Sequence, residues 1–271
     1  NLTISAKDDA ITTEGALSFY NGSLFIKESA EGMEGVQVLI AGGNIDITSS
    51  DDGINARGLL EETATDEEKE AYGMENQPDT YLKITGGVVS IKSEADAIDS
   101  NGQVYMEGGE VYISGPESGG NASLDYNGEA VISGGVFMSA GTSDMFQSFS
   151  SSSTQNYIEV FYDSAQTAGT KITVTDERGK ELASLTPTVS FSAALISLPD
   201  FATGSKVTVT TGSDSQEVTL SAGASRIGNG SSGFGGGPQG GPPENGRGGP
   251  QGGPPGNGGG GSTSNGGASL L

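Results

Sequence analysis

Acids return at a regular spacing along this chain, always at the start of a short apolar segment. Asp9-Ala10-Ile11, Glu31-Gly32-Met33, Asp52-Gly53-Ile54 and Asp96-Ala97-Ile98 superpose, with Ala122-Ser123-Leu124 as a degenerate fifth member. Superposition puts Asp9, Glu31, Asp52 and Asp96 on one line, and Thr12, Glu34, Asn55, Asp99 and Asp125 on a second line three positions later. Carboxylates stacked at strand spacing, about 5 Å apart, repel by roughly 3 kcal/mol per pair at an effective dielectric near 20. Such a row calls for protons or bound cations, and at neutral pH cations are the more economical answer. The donors are all oxygen: carboxylates, an amide, a hydroxyl and nearby carbonyls. Calcium accepts six to eight of these with loose geometry, whereas magnesium requires a strict octahedron. The expected metal ligands are Asp8, Asp9, Glu31, Glu34, Asp51, Asp52, Asn55, Asp96, Asp99 and Asp125. In the alternative reading each acid caps an adjacent backbone N–H. The doublets Asp8-Asp9 and Asp51-Asp52 favour metal, because a cap needs one carboxylate.

A second chemistry lies in the aromatic residues. Two-residue alternation assigns Phe25, Asp46, Ser90, Tyr112 and Phe137 to one outward column and Ser18, Leu39, Lys83, Tyr105 and Val131 to the next. Exposed rings among hydroxyls and acids suit the apolar faces of sugar rings. Tyr105, Tyr112, Phe137, Phe25 and Lys83 are therefore the expected carbohydrate-binding residues. The alternative is that the rings pack under an insertion or against the C-terminal strands.

Other chemistries are excluded by what the chain lacks. It contains no His and no Cys, which removes a Ser-His-Asp triad, thiolate metal sites and Cys nucleophiles. A calcium-dependent polysaccharide lyase would need a base beside the acids. Arg57, Lys83 and Lys92 are the bases available on the later repeats, and nothing in the sequence brings one there. The expectation is a protein that is not an enzyme. Net charge is −23, with 26 acids against 6 bases in residues 1–150, so nucleic acid and anionic lipid are not expected partners. Membrane insertion is not expected either, since no run of about 18 apolar residues occurs. The opening Asn1-Leu2-Thr3-Ile4 has no basic, apolar leader and reads as a mature or trimmed start.

The elements that would carry these residues are short strands. The acids step by 22, 21 and 44 residues, so the unit is about 22 residues with one doubled step. Between successive acids lie alternating apolar residues broken by turns at Asn21-Gly22, Gly42-Gly43, Gly86-Gly87, Gly108-Gly109 and Gly134-Gly135. Three inward faces per repeat imply an all-β fold whose residues 1–150 form a parallel β-helix, a solenoid of about 22-residue coils. Residues 57–80 interrupt it, and Thr65 with Glu68 could cap a short helix there. Residues 156–222 read as a small antiparallel β-module closing the C-terminal end. Residues 228–271 form a Gly/Pro-rich low-complexity tail in which Gly-Gly-Pro-Gln-Gly-Gly-Pro-Pro occurs twice.

An ordered series of motifs resembles a known family. Lys7-Asp8-Asp9-Ala10-Ile11, Ser50-Asp51-Asp52-Gly53-Ile54-Asn55-Ala56, Asp96-Ala97-Ile98-Asp99-Ser100-Asn101-Gly102 and Ala122-Ser123-Leu124-Asp125-Tyr126-Asn127-Gly128 are similar to the bacterial carbohydrate-binding domain family of clostridial type. The resemblance covers about residues 1–222. It implies a right-handed parallel β-helix with calcium at the acidic corners, in a secreted or cell-surface protein that binds plant-wall polysaccharides such as cellulose or pectin without catalysis. Family members usually carry further coils before the motif at Asp9, and the tail lies outside the family's domain. An uncovered first coil carrying Leu2, Ile4 and Ile11 would favour end-to-end stacking. Copies of the chain are thus the second expected partner, in an extracellular filament or surface layer bridged by the tail.

Overall fold

The computed structural model of the chain describes residues 1–60 and 63–230; the expected Gly/Pro tail lies outside them beyond Gly230. The N-terminal half runs β1 (Leu2–Ser5), β2 (Ile11–Thr12), β3 (Ala16–Phe19), β4 (Ser23–Glu28), β5 (Met33–Gly35), β6 (Gln37–Ser49) and β7 (Ile54–Ala56). It continues through α1 (Asp66–Gly73), β8 (Tyr81–Ser93), β9 (Ile98–Ser100), β10 (Gln103–Ser114), β11 (Asp125–Tyr126) and β12 (Ala130–Gly141). The remainder is β13 (Tyr157–Gln166), β14 (Ile172–Asp176), β15 (Glu181–Leu185), β16 (Phe191–Ser197), β17 (Lys206–Thr211), β18 (Asp214–Thr219) and β19 (Ala224–Ile227).

These strands form three sheets. A ten-stranded sheet runs β1-β4-β6-β8-β10-β12-β16-β13-β19, with β3 also on β6. A five-stranded sheet runs β11-β9-β7-β5-β2, and its ladders are all parallel. The third, β15-β14-β17-β18, is antiparallel. One core lies between the first two sheets. Leu24, Ile26, Val38, Ile40, Ile45, Ile47 and their counterparts in β8, β10 and β12 face Met33, Ile54, Ile98 and Leu124 across it. Each such side chain contributes about 1.5–3 kcal/mol on burial. A second core covers part of the large sheet's outer face, where Met138, Ile158, Val160 and Ile196 meet Ile172, Val174, Val207 and Val209.

Gly pairs bend the long strands. Gly43, Gly87, Gly109 and Gly135 have positive φ, between 82° and 94°. The first member of each pair is constrained from outside, since a Cβ on Gly42, Gly86 or Gly108 would lie 2.5 to 2.7 Å from a carbonyl oxygen of the preceding repeat. Backbone stacks on backbone at this corner, and neither position admits a side chain.

The expectation of a single right-handed parallel β-helix, followed by a separate antiparallel module, is overturned. The sheets are several and mixed: past β12 the large sheet continues through antiparallel β16 and β13 and ends on parallel β19. Layered sheets around two cores make a sandwich-like arrangement. The physical reason lies in β13 and β16. Ile158, Val160, Ala194 and Ile196 alternate with the same period as Met138 and Ala140 on β12, so these strands extend the sheet in register.

Candidate functional site

The five-stranded sheet positions the acids. Its registers pair Thr12 with Glu34, Glu34 with Asn55, Asn55 with Asp99, and Asp99 with Asp125, so the second acidic line consists of strand neighbours. Ile11, Met33, Ile54 and Ile98 alternate with them and point into the core, which forces the polar partners to the other face. The first line sits just before each strand. Asp9 Oδ1 accepts the N–H of Glu31 (3.3 Å), Asp52 Oδ1 accepts the N–H of Asp96 (3.0 Å), and Asp96 Oδ1 accepts the N–H of Ala122. These acids therefore do cap backbone of the next repeat, and each does so with one oxygen. Asp8 and Asp51 are exposed beside them.

Two groups emerge along the lines. In the first, carboxylate oxygens of Asp9, Glu31 and Glu34 lie within 4.8 Å of one another. Glu34 is clamped: the Thr12 hydroxyl donates to Oε1 (2.9 Å), and Arg57 donates through Nε to Oε2 (2.8 Å) and through Nη2 to Oε1 (3.1 Å). Asn55 Nδ2 donates to Glu31 Oε1 (3.2 Å). Burial, then the hydrogen bond with Glu34 and its charge, push the Glu31 carboxyl up to about 9. Burial raises Glu34 as well, but Arg57 and the bond from Glu31 outweigh it and hold Glu34 below the usual range. Burial also raises Asp9.

The second group is Asp52, Asp96, Asp99 and Asp125. Burial first, then the charge of Asp51, pushes Asp52 up to about 7; burial first, with repulsion from the neighbouring acids, pushes Asp96 and Asp99 up to about 8. Burial raises Asp125 too. Gln147 Nε2 donates to Asp125 Oδ1 and prolongs the line. Sequence reasoning missed Gln147, although it lies 22 residues beyond Asp125, one repeat length. Arg57 was missed as well, because only the fold brings its side chain back across β7 to β5.

Chemically, the first group suits a hard cation, since it is the set of three carboxylates whose oxygens converge among the described residues. Asn55 Oδ1 in the first group, and Gln147 Oε1 beside the second, are buried oxygens without a hydrogen-bond partner. Such oxygens are costly to leave unpaired, and a calcium ion would satisfy them.

The expected carbohydrate residues do not converge on one surface. Lys83 and Tyr105 are register neighbours, as read from the alternation. Lys83 pairs with Glu107 at 2.7 Å, and Tyr105 meets Tyr81 edge-on at 6.4 Å between ring centres. Phe25 and Tyr112 share a column, but Asp46 and Ser90 separate them. Tyr112 is half-buried against the second core; its hydroxyl donates to Glu110 (2.9 Å), and burial pushes it up to about 12. Phe137 is 2% exposed and packs on Phe149, so its ring presents no face to a ligand. It pairs with Val111, and Met138 occupies the place beyond Tyr112. Counting from the Gly pair gives that register, since Val111 and Phe137 each stand two residues after the second Gly.

The described part of the insertion after Arg57 carries helix α1. Helix α1 opens on a reciprocal cap, in which Thr65 N–H donates to Glu68 Oε2 (2.8 Å) and Glu68 N–H donates to Thr65 Oγ1 (3.2 Å). Asn101 and Asn127 each donate from Nδ2 to the carbonyl of Gly73, at 2.8 and 2.6 Å. Buried Gln77 accepts from Gly58 N–H (2.5 Å) and donates to the carbonyl of Tyr72 (2.8 Å). A groove of about 670 Å³ opens between this segment and the corner at Glu14–Ala16. No feature of the acid pattern or the aromatic alternation pointed to it.

Comparison with known proteins gives one match. Residues 1–120 fit the model of a family described as carbohydrate-binding domain-containing protein. That stretch is shorter than the span of about 222 residues suggested by the motifs, and it includes both acidic groups up to Asp99 and the whole insertion. No curated protein and no solved structure matches. Among the described residues no helix is long and apolar enough to cross a membrane.

Proposed function

We propose that the chain is a secreted or cell-surface protein that binds plant-wall polysaccharide without catalysis and is stabilised by calcium. The observation that carries the binding reading is the family match over residues 1–120. The acidic groups support the calcium reading. Asp9, Glu31, Glu34 and the Asn55 amide oxygen would hold a cation, and Asp52, Asp96, Asp99 and Asp125, whose charges act on one another, are the second candidate set. A bound cation would supply the positive charge that lets neighbouring carboxylates ionise together. Arg57 supplies part of that charge at Glu34 already. Its guanidinium stays protonated, raised further by the hydrogen bond to Glu34, so it offers no base for a lyase reaction although it stands beside the acids.

The test is retention of the purified chain on cellulose, pectin and chitin, with calcium and with chelator. Retention on at least one glycan, weakened by chelation, is expected. Absence of retention on all of them would remove the binding reading, and identical melting with and without chelator would remove calcium.

A further inference from the structure

We infer that the groove between the insertion and the Glu14–Ala16 corner is the glycan-binding site, and that it takes a neutral glycan; this rests on the polysaccharide-binding reading. The lining has the two chemistries a sugar requires. Tyr72, Leu59 and Pro78 offer apolar surface for C–H faces, and Glu14, Gln37 and Asp79 offer oxygens and an amide for hydroxyl groups. Pyranose rings present these faces alternately, so a groove carrying both binds better than an exposed ring alone. Its volume, about 670 Å³, falls in the range of small-ligand sites, roughly 300–1,000 Å³.

The groove is also held in shape before any ligand arrives. Gln77 ties Gly58 to Tyr72, Asn101 and Asn127 hold Gly73, and Gln37 Nε2 donates to the carbonyl of Asp79 (3.1 Å). Gly58 is required for this closure. A Cβ there would lie 2.5 Å from Gln77 Oε1 and 2.6 Å from Tyr72 Oη. A preformed wall avoids the ordering cost that a mobile loop incurs on binding.

Charge decides the class of glycan. Glu14, Glu75 and Asp79 line the groove, and no Lys or Arg stands among its lining residues. A polyuronate would bring carboxylates against carboxylates, whereas a neutral chain brings hydroxyl donors. A second groove, sharing Glu14, Gly58, Leu59 and Tyr72, leads on to Glu34, Asn55 and Asp99; the cations on it, Arg57, which is paired with Glu34, and Lys69, lie outside the first groove's lining. The site therefore shares a wall with the acidic lines and can be followed along the same face.

The experiment is affinity electrophoresis of the full chain in calcium buffer through hydroxyethylcellulose or polygalacturonate, with melting curves to verify folding. Tyr72→Ala and Asp79→Asn are compared with Tyr105→Ala on the other aromatic column. The inference expects about tenfold or greater loss of affinity for hydroxyethylcellulose in both groove variants, little change in Tyr105→Ala, and polygalacturonate weaker than hydroxyethylcellulose by about tenfold. Asp79→Asn keeps the side-chain shape, so its result stands even if Tyr72→Ala misfolds. Wild-type binding with unchanged groove variants, or tighter binding of polygalacturonate through the groove, would overturn the inference and leave the binding reading intact. Failure of the wild-type chain on every glycan would remove both.

Discussion

Glu31 and Glu34 show how the chain handles too many acids in a small space. One is pushed up to about 9 and the other is held down by Arg57, so a single proton and one guanidinium serve the pair. Asp52, Asp96 and Asp99, at about 7, 8 and 8, have no such cation beside them among the described residues and rely on protons in the metal-free chain. The folded state holds these protons more tightly than the unfolded chain does. Their stabilising contribution is complete below about pH 4 and is lost as pH rises through 7 to 9. The melting temperature of the chelated protein should therefore fall between pH 5 and pH 9, and millimolar calcium should restore it far more at pH 9 than at pH 5. A chelated melting temperature that rises over that range would contradict the assignment. Replacing Arg57 by Gln leaves Glu34, 9% exposed at its side chain, without its clamp. We expect a loss of about 1–2 kcal/mol in urea unfolding of the chelated chain, with part of it recovered by calcium. The acidic lines were legible because spacing and alternation are local. Arg57 was not, because its side chain reaches diagonally from the end of β7 to the neighbouring strand β5, and Phe137, two residues after the second Gly like Val111, faces the core because the Gly pair shifts the alternation along the strand.

At the scale of elements, the Gly pairs are the most constrained points. Gly87 combines positive φ with close approach, since a Cβ would lie 2.8 Å from the Gly42 carbonyl carbon. Gly87→Ala should cost about 1–3 kcal/mol by chemical denaturation, against a few tenths for Gly73→Ala, where nothing crowds a Cβ. Equal effects at the two sites would sink the corner argument. Periodicity exposed these corners and the short strands between them. It did not reveal that β13 and β16 would continue the large sheet, because alternation fixes which side chains face a layer and leaves the pairing partner open. The helix in the insertion was readable from Thr65 and Glu68, while the groove it builds depends on Gln77, Asn101 and Asn127 reaching across repeats.

Up to Gly230 the described chain is a set of layered sheets whose long parallel ladders put repeated chemistry on repeated faces. One face gathers carboxylates, and the neighbouring corner carries a groove with rings, acids and amides. On the proposals made above, labour divides accordingly: the acidic lines would serve stability, and the insertion beside them recognition. The family match over residues 1–120 spans the groove and the acidic lines up to Asp99. Binding to polysaccharide is the central claim, and direct retention of the intact chain on cellulose, pectin and chitin in calcium buffer tests it most simply. Retention on at least one of these, released by soluble glycan of the same kind, is the expected result; complete recovery of the chain in the flow-through from all of them would contradict it.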